Sequence, residues 1–400
     1  MTPQTANSKQ LVFLLVLLVL FSPLAIDIYL PALPVIAENF SVDMTYVQDT
    51  VTWFMVTLGL GQLLAGPLAD RFGRRPVALG GVLVYGLCSL LAYYAQNIDM
   101  LLAARLLQGF GACATSVAAF ASVRDCFGAA RSGRMISYLN GAICFIPAMA
   151  PILGSWLTAE FGWRSNFSFM AGFAVLGWGI VMLLYKETRP DNTYVDGRML
   201  SLSRYWSVLG EPKFLYHAIL CMLSMAVILA YVTSAPAWLM SELGLDMPQF
   251  TFWFGINAVL NIIACFLAPK MMDRLGTRKT LNAGLLVIIG SGLLMLALRS
   301  FAAPWAYMLP VFCSSIGYAC VLGSAAGRAL APFGDRAGTA AALLGLLQMS
   351  GAGVMVSLTQ RSGLSAPVLL AMQMLLLLPG LVLLWSKYGR RWHQDSVVED

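Results

Sequence analysis

The sequence predicts an all-α membrane protein with twelve transmembrane helices, arranged as two pseudo-symmetric bundles of six. Three observations predict this fold class: the composition, the number of long apolar runs, and a short motif that occurs twice at corresponding places. Of the 400 residues, 59% are hydrophobic and only 11% are charged, whereas soluble domains are roughly 45 to 50% apolar. Such a composition is typical of a chain embedded in a lipid bilayer.

Twelve apolar runs are long enough to cross a bilayer as helices, which takes about 20 residues. The first run follows a single cation, Lys9, and no small-residue cleavage site precedes the second run. We therefore predict a retained helix rather than a signal peptide. The predicted spans are residues 11–33, 47–69, 77–96, 100–122, 135–160, 165–186, 213–240, 249–272, 280–299, 305–330, 338–361 and 367–387.

The positions of the basic residues predict the orientation. Of the 25 Lys and Arg residues, 21 lie on the side that carries both chain ends, and only Arg164, Arg299 and Arg361 lie on the other. Loops rich in Lys and Arg stay in the cytoplasm, so both termini are expected there. The net charge of +6 then reflects membrane orientation, and no nucleic-acid partner is expected.

A duplicated motif divides the chain into two halves. Asp70-Arg71-Phe72-Gly73-Arg74-Arg75 follows the second span, and Asp273-Arg274-Leu275-Gly276-Thr277-Arg278 follows the eighth. A shift of 203 residues superposes the Asp, the first Arg, the Gly and the final Arg. We expect an N-terminal six-helix bundle (1–186), a cytoplasmic central linker (187–212) and a C-terminal bundle (213–400), with a pathway between the halves.

Several kinds of chemistry find no support in the sequence. Neither a phosphate-binding loop of the G-x-x-x-x-G-K-[ST] type nor an H-E-x-x-H zinc motif is present. The eight cysteines lack metal-ligand spacing, and His217 and His393 lie too far apart in the sequence to predict a metal site. We expect no cofactor, no metal and no enzyme, and we expect energy for any transport to come from an ion gradient.

Asp27 and Arg105 are the only carboxylate and the only cation that the predicted spans place well inside the bilayer. Both fall in the outer third, at similar depth. Intramembrane ionisable residues are functional candidates. Desolvation disfavours an ionised carboxyl and a nearby guanidinium favours it, so the pair is predicted to carry protons, with a static ion pair as the alternative. Asp49, near the outer end of the second span, is the first candidate for a second proton site.

Other polar side chains within the spans are candidates to line a substrate cavity, although each could equally serve as an ordinary interhelical contact. The remaining lining is expected to be Met, Phe, Trp and Leu, which suits a lipophilic substrate. The candidates are Tyr29, Gln108, Asn140, Tyr231, Asn257, Asn261 and Gln348.

Several motifs carry a resemblance to a known family. The run from Gly66 to Pro76, GPLADRFGRRP, resembles the signature loop between helices 2 and 3 of the major facilitator superfamily, and RLLQG from Arg105 resembles the helix 4 signature of its proton-coupled drug antiporters. Pro147 with APILG, ending at Gly154, is similar to their helix 5 motif. DIYLPALP from Asp27 and KETRP from Lys186 resemble hallmarks of the Bcr/CflA branch, and SYLNGAICFIPAMAPILG and ALAPFGDRAG are similar to its MdtL type.

This resemblance implies a set of gating residues. Asp70 is expected to face the N-terminus of helix 11 near Gly338, where the helix dipole favours a carboxylate by about 0.3 to 1 kcal/mol, and so to latch the cytoplasmic side. Prolines one turn apart bend a membrane helix, so helix 5 is expected to seal the halves against proton leak. The gating residues are Gly66, Asp70, Arg71, Gly73, Arg74, Arg75, Asp273, Arg274, Pro147, Pro151 and Gly154.

The function predicted from sequence is proton-coupled efflux of lipophilic drug-like molecules across the bacterial inner membrane by alternating access. A monomer embedded in the lipid bilayer is expected. The nearest alternative keeps the fold but exports a specific metabolite or siderophore. A channel or a membrane-embedded enzyme is the alternative from another class, but an enzyme needs a cluster of catalytic residues and the spans offer only Asp27 and Arg105.

Overall fold

The computed structural model describes residues 8–190, 202–333 and 337–393. Within these residues, twelve helices are long and apolar enough to cross a membrane, and each overlaps one of the predicted spans. We number them α1 to α12. They are Lys9–Phe40, Met44–Phe72, Arg74–Tyr93, Ile98–Phe127, Tyr138–Phe161, Arg164–Leu184, Pro212–Glu242, Met247–Leu275, Thr277–Leu298, Pro304–Leu330, Gly338–Gln360 and Ala366–Trp385.

Helix α1 is interrupted and runs seven residues beyond its predicted end at residue 33. A regular helix covers Ser8–Asp27, a single 3-10 turn covers Leu30–Ala32, and a second helix covers Leu33–Phe40. Prolines lie within the first turn of both later segments, where a missing N–H costs nothing. The interruption therefore falls directly after Asp27.

Helical backbone continues through the connection between α4 and α5, from Ile98 to Phe161. A straight helix would separate Arg105 from Gly154 by about 75 Å at 1.5 Å per residue. Both residues nevertheless contact the same part of α1, since Arg105 binds the carbonyl oxygen of Ala25 and Gly154 packs on Ile28. The chain reverses between them, so α4 and α5 form an antiparallel pair.

Consecutive helices alternate in direction, so their connections lie on two opposite faces. On the face that carries the chain ends, called the terminal face, Arg75 at the start of α3 donates to the carbonyl oxygen of Met182 near the end of α6 (2.8 Å). On the opposite face, called the far face, Arg164 at the start of α6 donates to the carbonyl oxygen of Ala95 between α3 and α4 (2.8 Å).

The duplicated motif has the same backbone conformation in both copies. Gly73 ends α2 with φ +106° and ψ 160°, and Gly276 ends α8 with φ +82° and ψ 155°. Residues with side chains rarely adopt such positive φ values, whereas glycine does so freely. The repeat read from the sequence is therefore also a repeat of local structure.

Contacts within and between the groups of six helices position the site. Helix α4 packs against α1, α2 and α3, and α10 packs against α7, α8 and α9. Between the groups, α2 packs against α11 and α5 against α8. Two helices contain π-helical segments, Ala237–Glu242 at the end of α7 and Leu346–Gly351 within α11. A helix at Leu202–Leu209, within the predicted linker, contacts the first part of α11.

Candidate functional site

Arg105 lies at the centre of the N-terminal six helices and is fully buried. Its guanidinium donates to the carbonyl oxygen of Ala25 on α1 (2.8 Å) and, more weakly, to that of Thr50 on α2 (3.3 Å). It also donates to the side-chain oxygen of Gln108, one turn along α4. Because these acceptors belong to three helices, Arg105 fixes the positions of α1 and α2 against α4.

Aromatic rings enclose the same guanidinium. Its central carbon lies 4.7 Å from the ring centroid of Tyr29 and 4.4 Å from that of Phe54, within the range of a cation–π interaction. The Tyr29 hydroxyl lies 2.9 Å from the Thr50 hydroxyl. Gln108 is fully buried and donates to Ser89 on α3 (2.8 Å). Tyr29 and Gln108 thus hold Arg105 in place.

Asp27 lies near this cluster but forms no ion pair with Arg105, contrary to the pairing considered from the sequence. Its side chain is 5% exposed, and the described part of the chain contains no hydrogen bond or ion pair of its carboxyl group. Arg105 instead reaches α1 through the carbonyl oxygen of Ala25 and the ring of Tyr29, which follows the end of the regular helix. Within that helix, residue 27 is about 200° around the axis from residue 25. A buried carboxyl without a paired cation is best accommodated in its neutral form.

Across from Asp27, α7 and α8 contribute polar groups. The Tyr231 ring is buried and stacks on Phe254 at 5.5 Å between centroids. Its hydroxyl is buried and has no hydrogen-bond partner within the described residues. Asn257 accepts a hydrogen bond from Ser315 on α10 (2.8 Å). The turn Leu30–Ala32, just after Asp27, contacts both α7 and α8, so this part of α1 lies against the helices that carry Tyr231 and Asn257.

The remaining cavity candidates are less closely associated. Asn261 accepts a weak bond from the Cys265 thiol, one turn along α8 (3.4 Å). Asn140 is exposed on α5, and Gln348 is half-buried in the π-helical segment of α11.

The signature loop between α2 and α3 is built around Arg74. Its guanidinium pairs with Asp70 (2.5 Å) and with Asp125 at the end of α4 (2.9 Å). The Asp70 side chain is 49% exposed, while that of Arg74 is 7% exposed. In this conformation the Asp70 carboxylate is thus held by its own loop. Of the other predicted gating residues in the loop, Gly66 is half-buried and Arg71 is exposed.

Glu187, just after α6, completes the loop. Its carboxylate accepts backbone N–H groups of Arg74 (2.8 Å) and Arg75 (3.2 Å), as well as those of Thr188 and Arg189. Partial burial opposes ionisation, but the four N–H donors outweigh it and hold the pKa of Glu187 below its usual range. Two motifs that the sequence shows 112 residues apart therefore form one structural unit.

Arg189 also contacts the signature loop, whereas the corresponding residues of the second copy of the motif are exposed. Arg189 donates to the backbone carbonyl oxygens of Asp70 (3.1 Å) and Arg71 (2.6 Å). In the second copy of the motif, Asp273 and Arg274 are exposed.

Helix α5 contacts both α1 and α8. A Cβ atom at Gly154 would lie 1.6 Å from the carbonyl oxygen of Ile28, so no side chain fits at this position. Pro151 is buried and Pro147 half-buried one turn earlier. Farther along α5, the Ser155 hydroxyl lies 2.7 Å from that of Thr251 on α8. Gly154 therefore brings α5 against the residue that follows Asp27.

The two histidines, predicted to be too far apart for a joint site, are in contact. Their Nε2 atoms lie 3.3 Å apart, and each Nδ1 lies within hydrogen-bonding distance of the carbonyl oxygen four residues earlier. The distance between the two histidines in the sequence did not predict their contact, because the C-terminal helix, Lys387–Arg391, folds back and brings His393 to the start of α7. No group of three or more His, Cys, Asp or Glu side chains that could hold a metal occurs in the described residues.

Comparison with known proteins places the chain in a family. The model of the Major Facilitator Superfamily matches residues 15–356. The chain is 30% identical to the multidrug resistance protein MdtL of Shewanella oneidensis over 335 residues, covering 83% of this chain and 84% of that protein. It is 31% identical to the MdtL protein of Escherichia coli O157:H7 over 352 residues, covering 87% and 88%.

Solved structures share the fold at low sequence identity. A peptide transporter POT, crystallised with alafosfalin, superposes with a TM-score of 0.78 at 14% identity, over 96% of both chains. A D-xylose-proton symporter gives 0.74 at 14% identity, over 95% of this chain and 96% of that one. The human organic anion transporter MFSD10 gives 0.71 at 18%, over 95% and 100%. The chain therefore belongs to the Major Facilitator Superfamily and is a membrane transporter, as its sequence motifs predicted.

Proposed function

We propose that the protein is a multidrug efflux transporter that exchanges lipophilic drug-like molecules for protons. The observation that carries this proposal is the 30 to 31% identity to multidrug resistance proteins over more than four fifths of both chains. Export of a specific metabolite or siderophore is the alternative, since sequence identity at this level does not fix the substrate.

The protein is assigned to the bacterial inner membrane, with the terminal face in the cytoplasm and the far face in the periplasm. The excess of Lys and Arg on the terminal face supports this orientation. Residues 1–186 and 213–400 would act as two six-helix bundles, joined by the linker 187–212. Substrate would pass between them by alternating access in a monomer surrounded by lipid.

Asp27 is the proposed proton carrier. Its burial without a paired cation favours the neutral form, and it closely precedes the turn of α1 that contacts α7 and α8, the helices that carry Tyr231 and Asn257. Opening to the periplasm would give the carboxyl access to the higher proton concentration on that side, from which it takes up a proton. Opening to the cytoplasm would let the proton leave while a substrate occupies the same space. Arg105 would act by holding α1 in position rather than by pairing with the carboxylate.

This scheme has a consequence for energy coupling. With Asp27 carrying one proton per cycle, exchange for a neutral compound moves one net charge, whereas exchange for a monovalent cation moves none. A membrane potential contributes about 2.3 kcal/mol per charge per 100 mV, roughly 1.7 decades of concentration at about 1.36 kcal/mol per decade. Only neutral export should respond to the potential.

Proteoliposomes with a fixed pH gradient test the proposal. Proteoliposomes that contain the purified protein should accumulate several chemically unrelated lipophilic dyes and antibiotics. Collapsing the potential with potassium and valinomycin should weaken accumulation of neutral compounds and spare monovalent cations. Transport of a single metabolite and no dye would favour the alternative. A loss for monovalent cations as well, half as large in decades as that for neutral compounds, would mean that a second group, with Asp49 as the first candidate, carries another proton.

A further inference from the structure

The far face contains an ion pair between the two groups of helices. Asp49, in the second turn of α2, is buried, and its carboxylate accepts a hydrogen bond from the guanidinium of Arg361, the residue that caps the end of α11. The other oxygen of Asp49 accepts a bond from the hydroxyl of Ser357 (2.6 Å), one turn earlier in α11. Arg361 also donates to that hydroxyl (2.8 Å). Three side chains from two helices thus close a ring of hydrogen bonds.

Neighbouring residues extend the contact to a third helix. Gln48 on α2 donates to the carbonyl oxygen of Thr233 on α7 (3.1 Å), and Gln360 on α11 donates to the hydroxyl of the same threonine (2.6 Å). Two consecutive residues of α2 and two consecutive residues at the end of α11 therefore hold three helices together. Deeper along the same interface, the Ser350 hydroxyl donates to the carbonyl oxygen of Val56 (2.6 Å).

Transport by alternating access requires this interface to open. We propose that Asp49 and Arg361 are the gating residues of the periplasmic side, and that their ion pair sets the balance between states closed and open to the periplasm. This inference rests on the alternating-access mechanism and the orientation proposed above. The pair is unequal in burial, since the Arg361 side chain is 48% exposed and that of Asp49 only 4%. Opening would therefore release Arg361 to water easily and require hydration mainly of Asp49.

Removing either charge should favour opening. Arg361→Gln leaves the buried Asp49 carboxylate without its partner in the closed state, which is unfavourable, and Asp49→Asn removes the attraction that holds the half-exposed Arg361 against α2. In the open state water solvates either residue alone. Asp49→Asn and Arg361→Gln should each raise the ratio of open to closed molecules by roughly tenfold, a value near the lower end for paired charges because Arg361 is half exposed. Because both variants break the same pair, the double variant should shift the ratio no further than either single variant.

Distances between spin labels on the far face measure this ratio. Tyr46 on α2 and Leu364 after α11 are 57% and 43% exposed, so cysteines there can carry labels in a background in which the eight native cysteines are replaced and the melting temperature is unchanged. Double electron–electron resonance in nanodiscs then gives the populations. Arg299→Gln is the matched control, because it removes another basic residue of the same face and should leave the distance distribution unchanged.

The proposal predicts longer distances in both single variants, non-additivity in the double variant and no change in the control. Unchanged populations in the single variants, or additive shifts, would overturn it, as would an equal shift in Arg299→Gln. Melting temperatures of all variants separate gating from a loss of folding. The test does not depend on the substrate, so the absence of drug transport by the wild type would reject the proposed function and leave this result standing.

Discussion

The contact between α5 and α1 leaves no room for a side chain at Gly154. Because a Cβ atom there would lie 1.6 Å from the carbonyl oxygen of Ile28, and real Cβ contacts stay above 3.0 Å, Gly154→Ala must move the two backbones apart by about 1.4 Å. Overpacking of this kind typically costs about 1 to 3 kcal/mol. The displaced backbone is that of the residue after Asp27, so both stability and proton coupling should change.

A matched substitution isolates the effect. Gly172 lies in α6, and a Cβ atom there would meet nothing within 4 Å, so Gly172→Ala should be neutral or stabilise the helix by up to about 1 kcal/mol. For Gly154→Ala we expect an apparent melting temperature in detergent lower by roughly 1 to 4 °C. If the strain acts only in the conformation in which α1 and α5 are in contact, a strain of about 1.4 kcal/mol reduces the population of that conformation tenfold. The rate of efflux should then fall by about the same factor. Equal melting temperatures and equal transport in the two variants would refute the packing argument.

Three further substitutions or treatments test other parts of the structure. Arg105→Lys keeps the charge but loses the planar guanidinium that reaches α1, α2 and α4 together, so efflux should drop at least roughly tenfold at every pH, and recovery at any pH would contradict a positioning role. Glu187→Gln should speed amide exchange in the loop between α2 and α3, by the same factor at every pH from 6 to 8. The pKa of Glu187 is lowered in the folded protein, so its contacts with the loop are fully present above the ordinary carboxyl pKa and are lost only as the pH falls through the lowered value. Cys144 on α5 and Cys265 on α8 are free, half-buried cysteines on two helices that pack together at Gly141 and Phe266, so a membrane-permeant oxidant should cross-link them and arrest transport, Cys144→Ser should remain active, and replacing the exposed Cys126 should give no protection.

Much of the fold follows from short-range properties of the sequence. Twelve apolar runs give twelve helices because a bilayer span needs a fixed length of apolar residues. The duplicated motif was recognisable because both copies need glycine at the same positive φ, at Gly73 and Gly276. These features depend on residues that are neighbours in the chain.

The site was less predictable because it depends on direction around each helix. Counting residues from the ends of the spans gives the depth of Asp27 and Arg105, but not the angle at which each side chain leaves its helix. Arg105 therefore reaches Ala25 and not Asp27.

Contacts between distant segments were also beyond the sequence. Asp49 was noticed only as a reserve proton site, and nothing in one sequence pairs it with Arg361, 312 residues away. The same holds for Glu187, whose partners lie in the signature loop, and for the contact between His217 and His393.

The central claim is that Asp27 couples proton movement to export, and one flux experiment tests it directly. Wild type and Asp27→Asn are compared in proteoliposomes with an imposed pH gradient, while potassium and valinomycin hold the potential at zero. Gly172→Ala serves as the control for a neutral change. A monovalent cationic dye is the substrate, because its exchange for one proton moves no net charge.

The asparagine cannot take up or release a proton. The account predicts that wild type and Gly172→Ala accumulate the dye against its gradient, whereas Asp27→Asn binds the dye and allows downhill movement but shows no accumulation. Accumulation by Asp27→Asn at the wild-type level would contradict the account and exclude Asp27 as the proton carrier.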